Sequence, residues 1–193
     1  MNTNLAYQDD AWEKRREELI AGEVVMMSPA SSNHNRIARN ILLIFGNYLD
    51  GKRCEPFGDG EAVYLTETDI FIPDFMVVCD PDKVKDDGVH GAPDLAVEVL
   101  SSSTAQNDRG RKLDVYSKCG VREYWIVSPG DKSVEQYVQN EGRLLLQAVH
   151  SIHPDFMLKR MSNEELASIS VEFKCSLFDD LNIFLKDIFK RIK

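Results

Sequence analysis

The sequence predicts an α/β fold, because a strand, a helix and a second strand follow one another within residues 93–129. Residues 95–100 alternate in side-chain direction, as expected of a strand with two different faces. Residues 101–104 are all serine or threonine, which favours the start of a helix, and Gly120 favours its end. The apolar residues 124–127 predict a second strand, parallel to the first.

The other elements follow from local patterns along the chain. Capping residues at 31–33 and an apolar stripe predict a long helix through Leu49, and Gly142 lies in the turn of a predicted hairpin. Residues 80–92 contain four acids and two lysines and predict a solvated polar loop. We find no repeat or linker and expect one domain over residues 1–193. Strands are predicted at 23–27, 52–56, 61–65, 70–79, 133–138, 144–149 and 170–173, and further helices at 10–21, 163–167 and 179–191.

Composition limits the class of protein. A chain of 193 residues with 43% hydrophobic residues can bury a core. No apolar run approaches the ~20 residues of a membrane helix, and the charged N-terminus does not resemble a secretory signal. The cysteines, at positions 54, 79, 119 and 175, form no closely spaced pair. We therefore expect reduced thiols in a cytoplasmic protein without membrane contact.

The net charge of −9 disfavours a protein that coats nucleic acid, since such domains are usually basic. It leaves open an enzyme whose site is locally basic or loaded with a metal ion.

Two isolated acids lie within apolar stretches of predicted strands. Asp74 follows a proline in residues 71–78, and Glu98 lies in the middle of residues 95–100. Either acid alone has an ordinary structural explanation, such as a strand start or an arginine partner. Both together, followed by a helix with several basic residues, suit a hard divalent ion such as Mg²⁺, which takes one or two carboxylates and a substrate phosphate.

These residues belong to a longer pattern that resembles the Uma2 (DUF820) family of the PD-(D/E)xK restriction-endonuclease-like superfamily. The similar region extends over about residues 18–138 and includes the upstream pattern at Gly22, Glu23, Ser28, Pro29 and His34. The pattern continues with Pro73, Asp74, Glu98, Val99, Leu100, Ser101, Asp108, Lys112, Tyr116, Gly120, Val121, Glu123, Tyr124 and Trp125.

The resemblance implies a restriction-endonuclease-like α/β core, with a central mixed β-sheet flanked by helices and additional antiparallel strands. It also implies metal-dependent cleavage of nucleic acid, with DNA as the expected substrate and Mg²⁺ or Mn²⁺ as the cofactor. Carried over to this chain, the metal ligands are Asp74, Glu98 and the backbone carbonyl of Val99.

The sequence departs from the family pattern at two positions. The superfamily lysine normally lies two residues after the second acid, but that position is Leu100 here. Uma2-like chains resemble variants in which the lysine has moved to the following helix, and this resemblance makes Lys112 the candidate catalytic lysine. The alternative for Lys112 is an ordinary ion pair with Asp108. Ser128 replaces the usual aspartate before a proline, at a position beyond the implied site.

Five further side chains are candidates for contact with nucleic acid: His34, Arg36, Arg39, Arg109 and Arg111. Phosphates that approach the basic side of the helix predicted after residues 101–104 would account for Arg109 and Arg111 near its start. The alternative for His34 is a solvated helix end, and for the arginines a solvated helix face.

The sequence thus favours a metal-dependent endonuclease. One alternative is a catalytically inactive module that keeps the fold and binds nucleic acid or protein, and another is a phosphohydrolase acting on a smaller substrate. A homodimer is compatible with each of these functions.

Overall fold

The computed structural model describes residues 17–101 and 104–192. Fourteen strands are formed by these residues: β1 Glu17–Ile20, β2 Glu23–Met26, β3 Glu55–Gly58, β4 Val63–Thr66, β5 Asp69–Phe71, β6 Phe75–Val78, β7 Val84–Lys85, β8 Gly88–His90, β9 Leu95–Val99, β10 Glu123–Ser128, β11 Ser133–Asn140, β12 Arg143–Ser151, β13 Glu172–Lys174 and β14 Asn182–Phe184.

Five helices accompany these strands in the described part of the chain. Helix α1 spans Ser32–Leu49, and α2 spans residues 105–119 with a π-helical segment, Asp108–Lys112, between α-helical Ala105–Asn107 and Leu113–Cys119. The short helices are α3 Asp155–Leu158, α4 Asn163–Ser168 and α5 Leu185–Ile188, and a 3₁₀ turn covers Pro81–Lys83.

The central sheet is mixed and has the strand order β12-β11-β10-β9-β6-β3. Its two middle strands, β9 and β10, are parallel, with Leu95 opposite Glu123 and Val99 opposite Val127. Helix α2 connects them and ends at Gly120, whose left-handed backbone (φ 91°) suits the residue that follows a helix. The strand-helix-strand unit predicted from residues 93–129 is confirmed.

Helices cover both faces of this central sheet. On one face α1 buries an apolar stripe, and Ile37, Ile41 and Phe45 are completely inaccessible to solvent. They pack against Phe75 and Val97 of the sheet. On the other face α2 packs against Ala96, Tyr124 and Ile126. Glu98 faces this second side, because it alternates with Val97 along β9.

A second sheet, with the order β2-β1-β5-β4-β8-β7, lies beside the central sheet. The strand predicted at residues 70–79 is divided between the two sheets. Residues up to Phe71 form β5 of the second sheet, and residues from Phe75 form β6 of the central sheet. Pro73 lies between them and has no N–H for a sheet hydrogen bond, which favours the break.

Three other predictions of secondary structure are wrong. Residues 17–20 form β1 instead of a helix, while residues 10–16 of that predicted helix lie outside the described residues. The polar loop at 80–92 contains β7 and β8. The closing helix predicted at 179–191 is replaced by β14 and the four-residue α5, because residues 182–184 pair with β13.

The expectation of four reduced cysteines is also wrong. Cys54 and Cys79 form a disulfide, whereas Cys119 and Cys175 are free. The two bonded residues lie 25 positions apart in the chain. The antiparallel pairing of Glu55 with Val78 brings them face to face at the neighbouring position. No helix among the described residues is both long and apolar enough to cross a membrane.

Candidate active site

Asp74 and Glu98 are neighbours across two strands of the central sheet. Antiparallel β6 and β9 pair Phe75 with Val97, so Asp74 and Glu98 occupy the next opposed position and share one face. Both are buried, with exposed fractions of 6% and 4%. The structure therefore brings the two predicted acids together.

Asp74 is held by partners from two different elements. Its Oδ2 accepts a hydrogen bond from the Val99 backbone N–H at 2.7 Å. The same oxygen lies 3.1 Å from Nε2 of His34, which reaches it from the first turn of α1. Ser31 caps this helix by accepting a hydrogen bond from the His34 N–H, which fixes the helix start beside Asp74.

Lys112 lies in a buried cage of three acids. Its Nζ is 2.8 Å from Glu18 Oε1, 3.0 Å from Glu98 Oε1 and 3.7 Å from Asp108 Oδ1. Only 2% of Lys112 is exposed. The ion pair with Asp108 that was the alternative for Lys112 is thus the longest of the three contacts. The same ammonium also bonds the predicted metal ligand Glu98.

The π-helical segment of α2 forms the helical wall of this cage. Asp108, Lys112 and Tyr116 follow at intervals of four and are all buried on the side that faces the sheet. Tyr116 donates a hydrogen bond to Glu98 Oε1 at 3.1 Å, and Tyr124 donates one to the Asp108 carbonyl at 3.0 Å. Single π-helical turns within α-helices are frequent at functional sites.

Charge in this region is strongly unbalanced. Burial raises the pKa of Glu98 well above its ordinary value, and the charges of Asp108, Asp74 and Glu18 raise it further against the opposing effect of Lys112. Burial likewise raises the pKa of Asp108 despite Lys112. For Lys112, burial lowers the pKa, but Glu98, Glu18 and Asp108 outweigh it, so that the pKa lies above its usual value. The acids around Lys112 therefore favour the binding of additional positive charge.

The oxygen atoms of the acid pair are suited to a hard divalent ion. Protein contacts to Asp74 use Oδ2, and those to Glu98 use Oε1. No described residue donates a hydrogen bond to the other oxygen of either carboxylate. In the described part of the chain, no three or more His, Cys, Asp or Glu side chains are grouped so that they could hold a metal ion. Two carboxylates nevertheless match the needs of Mg²⁺, which keeps several waters.

His34 is not at a solvated helix end. It is 8% exposed, and its Nδ1 is buried without a hydrogen-bond partner among the described residues. Burial alone lowers the pKa of His34, but the hydrogen bond to Asp74 and the charge of Asp74 outweigh this effect and raise it. His34 therefore contacts one of the predicted metal ligands.

The four arginine candidates lie in two different environments. Arg109 and Arg111 on α2 are tied to acids, with Nη2 of each 2.6 Å from Glu135 and 2.7 Å from Asp69 respectively. Among the described residues, the hydrogen-bond partners of Arg36 and Arg39 on α1 are the neutral amides of Asn33 and Asn40. The two pairs of arginines therefore lie on two different helices.

Sequence reasoning missed Glu18. It is 4% exposed, and in addition to Lys112 it accepts a hydrogen bond from the Ile72 N–H at 2.8 Å. The run of charged residues before it suggested a helix surface. The available signal was the alternation of Glu18 and Ile20, which are the two buried residues of β1.

A mixed sheet flanked by helices, with an acid pair on adjacent strands and a lysine on the next helix, is the arrangement expected of a restriction-endonuclease-like domain. The model of the Uma2 family, described as "Putative restriction endonuclease", matches residues 6–167. The chain belongs to the Uma2 family.

The chain is also similar to individual proteins. The chain is 33% identical to the Synechocystis protein named "Uncharacterized protein slr1290" over 135 residues, which are 67% of this chain and 71% of that protein. It is 30% identical to "Uncharacterized protein sll1609" of Synechocystis over 137 residues, 69% of this chain and 76% of the relative. A crystal structure titled as a "putative nuclease belonging to DUF820" from Anabaena variabilis superposes with a TM-score of 0.66. The two chains are 19% identical, and the match covers 90% of this chain and 89% of the other, so they share the fold.

Proposed function

We propose that this protein is a divalent-metal-dependent endonuclease that hydrolyses phosphodiester bonds of DNA. The observation that carries the proposal is the contact of Lys112 with Glu98, on the strand next to Asp74. The chain thereby places a helix lysine beside the second acid, although the residue two positions after that acid is Leu100.

In this proposal Asp74 and Glu98 hold one Mg²⁺ or Mn²⁺ ion, with the Val99 carbonyl as a third ligand. When bound, such an ion polarises water and neutralises charge on the phosphodiester. The Val99 N–H and His34 orient Asp74, while Lys112 and Tyr116 orient Glu98.

Lys112 supplies the fixed positive charge of the site. Its raised pKa keeps it protonated at neutral pH, so it stabilises negative charge that develops on the phosphate during attack. Glu18 and Asp108 hold this ammonium in place from the sides away from Glu98. We assign Glu18 a positioning role, because its contact is with Lys112.

Incubation with supercoiled plasmid, single-stranded DNA and RNA tests the proposal, with Mg²⁺ or Mn²⁺ compared with EDTA. We expect nicked and linear plasmid only when the metal is present, and no cleavage by Asp74→Asn. Lys112→Met should lose turnover under conditions in which circular dichroism shows that the variant is folded. Plasmid that stays intact with every metal, although the wild type binds DNA, would favour the inactive binding module instead.

A further inference from the structure

Helix α1 presents basic side chains on its solvent side without any acid. Its sequence, Ser32–Leu49, contains Arg36 and Arg39 and neither aspartate nor glutamate. The chain elsewhere is strongly acidic, with a net charge of −9. A helix with only positive charge is therefore an exception on this surface.

The C-terminal turn brings two more basic residues to the same helix. The buried Asn40 donates hydrogen bonds from Nδ2 to the carbonyls of Ile188 at 2.9 Å and Lys190 at 3.1 Å. These bonds hold the main chain at Lys190 against α1, next to Arg39. Lys190 and Arg191 are both exposed. We call Arg36, Arg39, Lys190 and Arg191 together the basic flank.

The charges of the basic flank are available to a ligand. None of its four side chains forms an ion pair with a residue that the structure describes. The exposed basic side chains of α2 and the following Arg122 are instead paired with acids: Arg109 with Glu135, Arg111 with Asp69, Lys118 with Asp114 and Arg122 with Asp94. A phosphate that binds one of these paired side chains would have to displace its acid. The four side chains of the basic flank have no such acid among the described residues.

The basic flank shares helix α1 with the candidate active site but lies on another side of it. His34, which contacts Asp74, lies on the same helix two residues before Arg36 and five before Arg39. At 1.5 Å and 100° per residue, these arginines lie roughly 3 and 7.5 Å further along the helix axis, and roughly 200° and 140° around it from His34. A duplex with the cleaved phosphate at Asp74 would therefore meet the basic flank through phosphates several base pairs away.

The same surface lacks side chains suited to single strands. The exposed residues of α1 and of the C-terminal turn include no aromatic residue. Proteins that bind single strands usually stack bases on aromatic rings. Phosphate contacts without stacking suit a duplex, whose bases remain paired.

We propose that the basic flank binds the phosphate backbone of duplex DNA several base pairs away from the bond that is cleaved. The inference rests on the endonuclease function proposed above and names the surface that receives its substrate. It replaces the expectation that Arg109 and Arg111 make these contacts.

Fluorescence anisotropy with a labelled duplex of about 20 base pairs tests this, in EDTA so that the DNA stays intact. The test protein carries Arg39→Gln, Lys190→Gln and Arg191→Gln. The matched control carries Lys118→Gln, Arg122→Gln and Arg143→Gln, which remove the same charge. Arg122 directly precedes β10, at the end of the parallel pair opposite to Val99. Lys118 and Arg143 lie near the end of α2, since the Leu144 N–H donates a hydrogen bond to Ser117 Oγ. The control changes therefore lie away from the site.

Each phosphate contact contributes about −0.9 to the slope of log K against log salt. We expect a slope of about −3.6 for the wild type and the control, and about −0.9 for the test protein. Between 50 and 200 mM salt the wild type should lose about 40-fold more affinity than the test protein loses.

Equal slopes in all three proteins, or an equal reduction of the slope in the test protein and the control, would overturn the proposal that the basic flank binds DNA. Tighter binding of a single strand of the same length would also overturn it. If the wild type still cuts plasmid with Mg²⁺ in these cases, the endonuclease proposal stands. A wild type that neither binds duplex at 50 mM salt nor cuts it would overturn both proposals.

Discussion

Replacing Lys112 by methionine should strongly destabilise the protein. Lys112 is the cation that contacts Glu18, Glu98 and Asp108 at 2.8, 3.0 and 3.7 Å, and it is buried. Methionine fills a similar volume but leaves three buried acids without this partner. Removal of one member of a buried ion pair typically costs about 3–5 kcal/mol. We expect a loss of this size in the free energy of unfolding at pH 8.

The loss should depend on pH in a defined direction. The pKa values of Glu98 and Asp108 are already raised in the wild type and should rise further without Lys112. A carboxyl whose pKa is higher in the folded state stabilises the fold at low pH, and this contribution is lost as the pH rises through the folded-state pKa. The variant should therefore be closer to the wild type at pH 5 than at pH 8.

Urea unfolding followed by circular dichroism measures both effects. With a slope of about 2 kcal/mol per M, the midpoint should fall by roughly 2 M at pH 8. Adding Glu98→Gln to Lys112→Met should recover part of the stability, because it removes one unpaired charge. A loss below about 1 kcal/mol that is equal at pH 5 and pH 8 would refute the view of Lys112 as the charge that compensates this cluster.

Two further predictions concern structure outside the candidate site. Burial favours protonation of Asp69, but hydrogen bonds from Arg111 and its other donors outweigh this effect and lower the pKa of Asp69 to about 2. Asp69→Asn should therefore lower the free energy of unfolding by about 1–2 kcal/mol at pH 7, after allowance for the partly exposed Arg111. This contribution should disappear from the wild type as the pH falls from about 4 towards 2, and acid unfolding curves that are identical for both proteins would contradict it. Cys54→Ser should lower the free energy of unfolding by about 3 kcal/mol under non-reducing conditions, whereas Cys119→Ser should change it little. A thiol assay that finds four free thiols in the unfolded wild type would contradict the disulfide.

The centre of the fold could be predicted because its signals are local. Alternation in residues 95–100, a run of helix-capping residues and Gly120 each indicate the same strand-helix-strand unit. The parallel pairing of β9 with β10 then follows from the length of the connection. The acid pair was predictable for the same reason, since Asp74 and Glu98 interrupt apolar strands.

The parts that were mispredicted depend on contacts between distant residues. β1 is held by antiparallel pairing with β2 and by Leu19 against Ile70 of β5. The buried Glu18 has its partners at Ile72 and at Lys112, which reaches it from α2. Residues 179–191 have helical apolar spacing, yet pairing with β13 makes part of them a strand. The disulfide likewise depends on the register of β3 against β6.

The most direct test of the central claim is a calorimetric titration of Mn²⁺ into the wild type, Asp74→Asn and Glu98→Gln, with Asp69→Asn as a control for loss of a buried acid elsewhere. We expect one ion per wild-type chain, similar affinity in Asp69→Asn, and a loss of at least about tenfold in each of the two site variants. Equal affinity in all four proteins would contradict the assignment of Asp74 and Glu98 as the ligands of one divalent ion.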